Sequence, residues 1–348
     1  MRIIGLYLIL LMLVGSAAIA QTAKASLEIV HNAKGSLRGM SMPNEHTIWV
    51  SGSEGTVIRS TDGGATWANI PVPGYEKSDF RDVEAFDENN AIIMAVTQPA
   101  LLLQTRDGGK TWKEIFRDTT RMAFLDAMSF NSRKEGIVVA DPVNGKDYKI
   151  WVDARRGDAS KLNGLETFEK GEAFFAASGT NVEMMKSRGT DYAYVTGGTQ
   201  SRYYIERRSS RFYVQGSFVE LPFEKGKTTA GANSVSSIQN RYVVVVGGDF
   251  ARPNDTTKTC FLSEDGGRSW RPASKAPSGY RSCVTHLTKE HLVATGINGV
   301  DVSEDGGDTW QRISTDGFHV VQQSANGKNI YLAGARGKIA RLKWDFEQ

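Results

Sequence analysis

Short apolar runs that end in small residues recur seven times along the chain. Each run is five or six residues long, and glycine or alanine closes most of them. Runs with this length and these boundaries are typical of buried β-strands. They cover residues 48–52, 91–96, 136–140, 192–197, 242–247, 291–296 and 330–334. The pattern therefore predicts a protein built mainly from buried strands.

A second apolar strand precedes each run, and it carries a polar residue at or near its start. These strands are residues 37–41, 80–84, 124–128, 178–182, 232–236, 280–284 and 318–322. A pair of strands that returns at a nearly constant period indicates one supersecondary unit per period. We therefore expect seven units.

A polar motif, Ser/Thr-x-Asp-Gly-Gly-x-Thr/Ser-Trp, occurs four times, at residues 60–67, 105–112, 263–270 and 303–310. Its glycines can adopt positive φ and its Asp can accept hydrogen bonds from nearby amides, which favours a hairpin turn. The Trp is large enough to anchor the turn in a core. We assign structural roles to Asp62, Trp67, Asp107, Trp112, Asp265, Trp270, Asp305 and Trp310.

The spacing of these turns indicates the architecture. Asp62 and Asp107 are 45 residues apart, and Asp265 and Asp305 are 40 apart, which fits one four-stranded blade per repeat. The longer gap between Asp107 and Asp265 has room for two degenerate blades, with candidate turns at residues 151–158 and 204–211. The sequence thus predicts an all-β fold, a seven-bladed β-propeller with four-stranded antiparallel blades.

The seventh unit ends before a fourth strand, whereas residues 27–31 form a strand that no unit uses. We expect this N-terminal strand to complete the seventh blade, because closing the ring removes an exposed edge. The predicted single domain is residues 21–348. Its blades are residues 34–74, 75–120, 121–170, 171–225, 226–277, 278–315 and 316–344, plus the closing strand 27–31.

The first 20 residues have the three parts of a secretory signal peptide: Arg2, an apolar run over residues 3–14, and a small-residue site ending at Ala20. They predict export to the periplasm or the extracellular space. The apolar run is too short to span a bilayer comfortably, although an uncleaved anchor is an alternative. We expect no transmembrane span after cleavage.

Charge and motif content exclude several functions. Loss of Arg2 with the signal peptide changes the formal net charge from +3 to +2, which disfavours nucleic-acid binding. The sequence contains no Cys-x-x-Cys, His-Glu-x-x-His or Gly-x-Ser-x-Gly motif, so no metal or cofactor is expected. Cys260 and Cys283 lie on neighbouring units and either pair in an oxidising compartment or remain free. We expect a monomer.

Strand alternation separates the two faces of the ring. The Asp-Gly-Gly turns connect the third and fourth strands, so they lie on the face opposite to the starts of the inner strands. That second face, here called the top face, carries polar residues from several blades. The candidate ligand-binding residues are Arg38, Arg81, Arg281 and His319 in one column, Asp82 and Asp126 one position later, and Asp141 in a loop. Two long loops, residues 141–148 and 249–256, could fold over the mouth.

Two interpretations of this cluster are open. The charged groups could pair with one another and hold the blades in register, for example Arg81 with Asp82 or Asp126. Alternatively, three arginines and a histidine on four consecutive blades form a basic arc that exceeds the two nearby acids. Such an arc suits a carboxylate, phosphate or sulfate.

The turn motif resembles Asp-box, or BNR, repeats, which occur in sialidases, sortilin-type receptors and photosystem II stability and assembly-factor propellers. The similarity in period covers roughly residues 27–343. Residues 37–67 and 80–112 look most like the assembly-factor group. This resemblance implies seven blades with arginines on one face, but a shared fold leaves activity open.

A sialidase would require an arginine triad, a Tyr–Glu nucleophile pair and an Asp acid. The corresponding candidates are Arg38, Arg81 and Arg281 for the triad, Tyr280 with Glu84 for the pair, and Asp82 or Asp126 for the acid. The family's usual Arg-x-Pro opening is missing, because four residues separate Arg38 from Pro43. Tyr280 and Glu84 also fall on blades that are not adjacent.

The sequence therefore favours an exported binding or assembly module that holds an anionic small molecule, glycan or protein segment on the top face. It is more typical of a non-enzyme. The alternative is a sialidase-like glycoside hydrolase that uses the same face.

Overall fold

Seven antiparallel sheets form a closed ring in the computed structural model. The structure describes residues 25–346 except 97, 163–167, 186–189, 209 and 211–213. The inner strands of consecutive sheets contact one another, and the inner strand of the seventh contacts that of the first. The predicted seven-bladed β-propeller is confirmed.

Each of the first six blades has four strands, which follow in chain order from the inner to the outer edge of the sheet. Blade one contains Leu37–Ser41, Ile48–Gly52, Val57–Ser60 and Ala68–Asn69; blade two contains Phe80–Ala85, Ala91–Ala95, Ala100–Thr105 and Lys113–Asp118. Blade three contains Leu125–Ser132, Glu135–Val143, Lys146–Asp153 and Asp158–Leu162; blade four contains Val182–Met184, Asp191–Val195, Arg202–Arg208 and Val214–Glu220. Blade five contains Ala230–Ile238, Tyr242–Asp249, Cys260–Ser263 and Arg271–Pro272; blade six contains Cys283–His286, Leu292–Gly296, Gly299–Ser303 and Gln311–Ser314.

The N-terminal strand closes the ring, as the sequence predicts. Blade seven consists of Val320–Gln323, Ile330–Ala333 and Lys338–Trp344 from the end of the chain, with Ala25–Asn32 as its outer strand. This outer strand pairs antiparallel with Lys338–Trp344, so that Leu27 lies opposite Leu342. The first and last described segments therefore share one sheet.

The second strands are buried on both faces because they lie between neighbouring blades. All five residues of Ile48–Gly52, Ala91–Ala95 and Leu292–Gly296 are buried. Their apolar side chains form clusters between blades, for example Trp49 of blade one with Ile93 of blade two. Burial on both faces explains why these strands are continuous apolar runs and do not alternate.

The Asp-Gly-Gly turns are held by a repeated hydrogen-bond network between the third and outer strands. In the first turn, the Ser60 hydroxyl bonds the Asp62 carboxylate at 2.8 Å and accepts a bond from the Gly64 amide at 2.8 Å. Asp62 also accepts a bond from the Thr66 hydroxyl at 2.6 Å, and hydrogen bonds to Thr66 lower the pKa of Asp62 to about 2. The Trp67 indole then donates to the Gly64 carbonyl at 3.1 Å.

Two further regions differ from or extend the sequence expectation. The candidate turn at residues 151–158 does connect two strands of blade three, whereas part of the one at 204–211 lies outside the described residues. The inner strand of blade four begins at Val182 and not at residue 178, because the preceding residues cross the top of the ring. A small ladder, Glu172–Ala173 with Gly197–Gly198, joins the inner edge of blade five at Gly231.

Cys260 and Cys283 are both buried free thiols. Within the described ranges, the structure contains a single short 3-10 helix, Ala335–Gly337, and no helix long and apolar enough to cross a membrane. The predicted signal peptide, residues 1–20, lies outside the described part of the chain.

Candidate binding site on the top face

β-Bulges position the first polar residues of the inner strands. The pairing register shifts around Arg38 in blade one, Arg81 in blade two and Asp126 in blade three. A bulged residue has no partner in the ladder, and its side chain is aimed away from the regular pleat. Asp126 of blade three is therefore structurally equivalent to Arg38 and Arg81. The sequence comparison of the blades had placed it one position later along the strand.

A segment that sequence analysis missed crosses the mouth of the ring. Residues 174–181, here called the strap, belong to the connection between blades three and four, and they contact several other parts of the ring. The Phe174 amide donates to Asp141 of blade three at 3.0 Å, and the Ser178 hydroxyl donates to the Ser282 carbonyl, which precedes the inner strand of blade six, at 2.7 Å. The Thr180 hydroxyl bonds Ser234 of blade five at 2.7 Å.

Arg38 is a partly exposed arginine beneath the strap. Its Nη1 donates to the Ala177 carbonyl at 3.3 Å, and no carboxylate of the described residues forms an ion pair with it. Burial lowers the pKa of Arg38, the neighbouring charge of Arg81 adds to this effect, and the charge of Asp79 opposes it. Arginine remains charged in proteins, so Arg38 is a cation without a paired acid in the described structure.

Arg81 lies next to Arg38 and has one acidic partner. Its Nε donates to the Asp79 carboxylate at 2.7 Å, and its Nη1 lies 3.5 Å from the Ala176 carbonyl. The guanidinium carbon lies 5.7 Å from the centre of the Phe124 ring. About a quarter of the side chain is exposed, at 28%, so further hydrogen-bond donors of Arg81 are available to a ligand.

The structure removes Arg281 from the expected basic arc. Arg281 is fully buried, and its Nε donates to Asp301 on the third strand of the same blade at 2.6 Å. Its Nη1 donates to the Asn298 side chain and to the Tyr280 carbonyl, each at 2.6 Å. The prediction that Arg281 joins a shared arc is therefore wrong, because its charge is satisfied within blade six.

His319 lies beside the two remaining arginines but adds no charge at neutral pH. Its Nε2 lies 3.2 Å from the Ser36 hydroxyl. Burial, followed by the positive charges of Arg38 and Arg81, lowers the pKa of His319 to about 3. The ring is therefore neutral at pH 7 and serves as a hydrogen-bonding group.

Asp82 joins two blades and is not open to a ligand. Its carboxylate oxygens accept bonds from the Val83 amide and from the Met128 amide of blade three, both at 2.8 Å. Gly179 of the strap packs directly on this carboxyl group, since an added Cβ there would lie 2.5 Å from its carbon. Burial raises the pKa of Asp82 well above its usual value.

Asp126 and Asp141 form an acid pair below the strap. Asp126 is fully buried, and neither of its oxygens has a hydrogen-bond partner among the described residues. Burial and the charge of Asp141 raise its pKa well above the usual range, which favours the neutral acid. Burial also raises the pKa of Asp141 to about 6. The raised pKa of Asp126 weakens its ability to balance the charge of the nearby arginines.

The two loops expected to act as lids have other structures. Residues 141–148 form a hairpin in which the strands continue to Val143 and resume at Lys146. Residues 249–256 are braced by Arg252, which pairs with Asp249 at 2.9 Å and Asp255 at 2.9 Å. The strap covers the mouth in their place. The long interval between the blade-three and blade-four strands was the sequence signal that could have revealed it.

Across the described residues, no group of three or more His, Cys, Asp or Glu side chains is placed to hold a metal ion. Of the predicted site residues, Arg38 and Arg81 are the cations that remain available to a ligand, and they lie on adjacent blades. Within the described structure, Asp79 is the one carboxylate that is bonded to either of them. This arrangement suits a negatively charged ligand that approaches from the top face.

Comparison with known proteins supports the resemblance seen in the sequence. The family model for photosynthesis system II assembly factor YCF48 matches residues 26–121, which contain the closing strand and blades one and two. The fold is similar to that of YCF48 bound to D1 peptide, with a TM-score of 0.65 and 15% identity over 92% of this chain and 95% of that chain. The resemblance to the assembly-factor propellers is confirmed.

Two further similarities agree with this fold. YCF48 from Cyanidioschyzon merolae matches with a TM-score of 0.58 and 15% identity, over 91% of this chain and 98% of that chain. Vacuolar protein sorting/targeting protein 10 from Pyricularia oryzae is 28% identical over 103 residues, which are 29% of this chain and 7% of that protein. The chain thus matches a small part of this much longer relative. At these identities the solved structures establish the fold alone.

Proposed function

We propose that this propeller is an exported binding or assembly module that holds an anionic protein segment on its top face. The observation that carries the proposal is the pair Arg38 and Arg81. The two guanidiniums lie on adjacent bulges, and Arg38 has no acidic partner among the described residues. A partly buried arginine gains more from a carboxylate partner than an exposed one, because the effective dielectric constant is lower.

The nearby acids do not offset both charges. Asp79 pairs with Arg81, whereas the raised pKa values of Asp82 and Asp126 favour their neutral forms. Among the described residues Asp141 forms no ion pair with either guanidinium, and its carboxylate accepts a hydrogen bond from the Phe174 amide. A ligand carboxylate can therefore supply the partner that Arg38 lacks.

A protein segment is the ligand class that the comparisons favour over a small molecule or glycan. One structurally similar propeller is described as bound to a peptide, and a curated relative is named for protein sorting and targeting. The loops of the top face also carry the exposed apolar side chains of Met122, Phe250 and Ile297. Peptide recognition commonly combines such apolar contacts with a few charged ones.

The sialidase alternative loses support because its proposed residues do not assemble. Arg281 is buried against Asp301 and is not available to form a triad with Arg38 and Arg81. The Tyr280 hydroxyl donates to Asn233 at 2.8 Å, which gives it a structural role between blades. We therefore keep binding as the proposed function.

Single substitutions of Arg38 and Arg81 test the proposal. The probe is a fluorescein-labelled Gly-Ser decapeptide with two adjacent aspartates and an amidated C terminus, and the readout is fluorescence anisotropy. We expect Arg38→Gln and Arg81→Gln each to weaken binding about tenfold or more, because a charged hydrogen bond contributes roughly 1.5–3 kcal/mol.

Arg268→Gln is the matched control. Arg268 lies in an Asp-Gly-Gly turn on the opposite face, so this variant loses the same charge without touching the site. It should bind within twofold of wild type. Variants at Arg38 and Arg81 that keep the wild-type melting temperature and also bind with wild-type affinity would overturn the proposal. Export is tested separately by N-terminal sequencing of the secreted chain, which should begin after Ala20.

A further inference from the structure

Phe250 is a large apolar side chain left exposed on the top face. It is 41% exposed, whereas the aromatic side chains of the blades are mostly buried. Phe250 lies in the loop that follows the second strand of blade five, at the start of residues 249–256. An exposed aromatic ring on the same face as an arginine without an ion-pair partner calls for a physical explanation.

The loop that carries Phe250 is rigidly braced. Arg252 pairs with Asp249, Asp255 and Glu224, and the Ala251 amide donates to Asp249 at 3.0 Å. Asn298 of blade six also donates to the Pro253 carbonyl at 2.6 Å. These contacts fix the backbone on both sides of Phe250. A ring presented on a fixed loop loses little conformational entropy when a partner covers it.

The ring of Phe250 lies against two aromatic rings that lead to the arginines. Its centre lies 5.9 Å from that of Phe175 in the strap and 6.4 Å from that of Tyr280, both in edge-on geometry. Phe175 is followed in the strap by Ala176, whose carbonyl lies 3.5 Å from Arg81 Nη1. Phe175 and Phe250, here called the aromatic shelf, therefore adjoin the arginine pair.

The strap places the shelf close to the atom that bonds Arg38. Phe175 belongs to the shelf, and two residues later the Ala177 carbonyl accepts the hydrogen bond from Arg38. The chain turns tightly between them, because the Ala177 amide donates to the Phe175 carbonyl at 2.7 Å, so the two positions lie no farther apart than the roughly 7 Å of two extended residues. A bound segment can therefore reach both Arg38 and the shelf with groups that are two or three residues apart.

We infer that the top face recognises a composite motif: an acidic side chain for Arg38 and Arg81, and an apolar side chain two or three residues away for the aromatic shelf. The occupant is an extended protein segment of that composition. This inference rests on the proposed function, since it specifies the partner of the same site. Charge complementarity positions the segment, and burial of the apolar side chain on Phe250 supplies much of its affinity.

Three peptides test the spacing. All three are versions of the fluorescein-labelled Gly-Ser decapeptide with two aspartates. The first has no leucine, the second has a leucine three residues from the nearer aspartate, and the third has a leucine six residues from it. We expect the three-residue spacing to bind about tenfold more tightly than the peptide without leucine, because burial of a leucine contributes roughly 1.5–3 kcal/mol. The six-residue spacing should give little or no gain.

Phe250→Ala should remove the gain from leucine and leave the affinity for the leucine-free peptide within twofold of wild type. Phe218→Ala is the matched control, because Phe218 is 43% exposed on the outer strand of blade four, where it packs against Arg202 and Tyr204 and not against Arg38 or Arg81. It should keep the full gain. Phe250→Leu should retain most of it, and melting temperatures establish that each variant is folded.

The outcomes separate the two proposals. If leucine gives no gain in wild type, or if the gain persists in folded Phe250→Ala, the composite motif is wrong while the arginine site stands. If folded Arg38→Gln binds all three peptides as wild type does, the proposed function itself is wrong. A gain that depends equally on Phe218 and Phe250 would also contradict the inference, because it would indicate nonspecific apolar binding.

Discussion

At the residue scale, some charged groups of the protein have a complete set of buried partners, whereas others on the surface do not. Lys149 and Glu206 are both buried, and Lys149 Nζ lies 2.8 and 2.7 Å from the two carboxylate oxygens. The hydroxyls of Tyr192 and Tyr194 also donate to Glu206, at 2.7 and 2.6 Å. This charge network is satisfied inside blades three and four. Arg38, in contrast, has an incomplete set of partners on an accessible face, which is why we assign it to binding.

Glu206→Gln should therefore destabilise the protein strongly. The substitution leaves the buried Lys149 ammonium without its carboxylate, and breaking a buried pair in this way costs about 3–5 kcal/mol. Urea denaturation followed by circular dichroism measures the change. Glu220→Gln is the matched control, because Glu220 forms an exposed pair with Lys225 at 2.8 Å, and exposed pairs contribute little to stability. Equal effects of the two substitutions would show that the buried network contributes no more than a surface pair.

At the element scale, the Asp-Gly-Gly turns combine backbone geometry with contact to the preceding blade of the ring. Gly267, in the third of these turns, has φ +88, and an added Cβ would lie 2.0 Å from the Tyr203 ring. The same ring packs edge-on against Trp270, with centres 5.1 Å apart. The second glycine of the turn is therefore needed both for its positive φ and for the close approach of blade four.

Gly267→Ala should destabilise the protein by about 1–3 kcal/mol beyond the strain of the left-handed backbone, because the methyl group overlaps Tyr203. Gly74→Ala is the control, since Gly74 has φ +86 but no atom within 4 Å of an added Cβ. The free energy of unfolding of that variant should fall by about 1 kcal/mol, which is the cost of the backbone strain alone. Chemical denaturation of both variants measures the difference, and equal losses would contradict the proposed contact.

The elements that the sequence predicted are those whose signals are local. The apolar runs indicated the second strands because both of their faces are buried, and the unused residues 27–31 indicated the closing strand. The strap was missed because its path depends on distant partners such as Ser282 and Ser234. Arg281 was misplaced for a similar reason. Its partner Asp301 lies on the third strand of blade six, and only the observed register brings the two together.

At the scale of the whole molecule, ring closure brings the top-face residues together. His319 of blade seven lies 3.2 Å from the Ser36 hydroxyl before blade one, although 283 positions separate them in the chain. The strap then links blade three to blades five and six above the same mouth. Arg38, Arg81 and the aromatic shelf therefore belong to one surface only in the closed ring. The Asp-Gly-Gly turns define the opposite face.

Photo-crosslinking of the bound peptide tests most directly whether the top face is the binding surface. The aspartate decapeptide with the leucine replaced by benzoylphenylalanine is irradiated with the full-length protein, and mass spectrometry locates the adducts. We predict adducts within residues 174–181 and 249–254, with a large loss of yield in Arg38→Gln. Adducts concentrated at the turns of the opposite face, residues 60–67, 105–112, 263–270 and 303–310, would contradict the account.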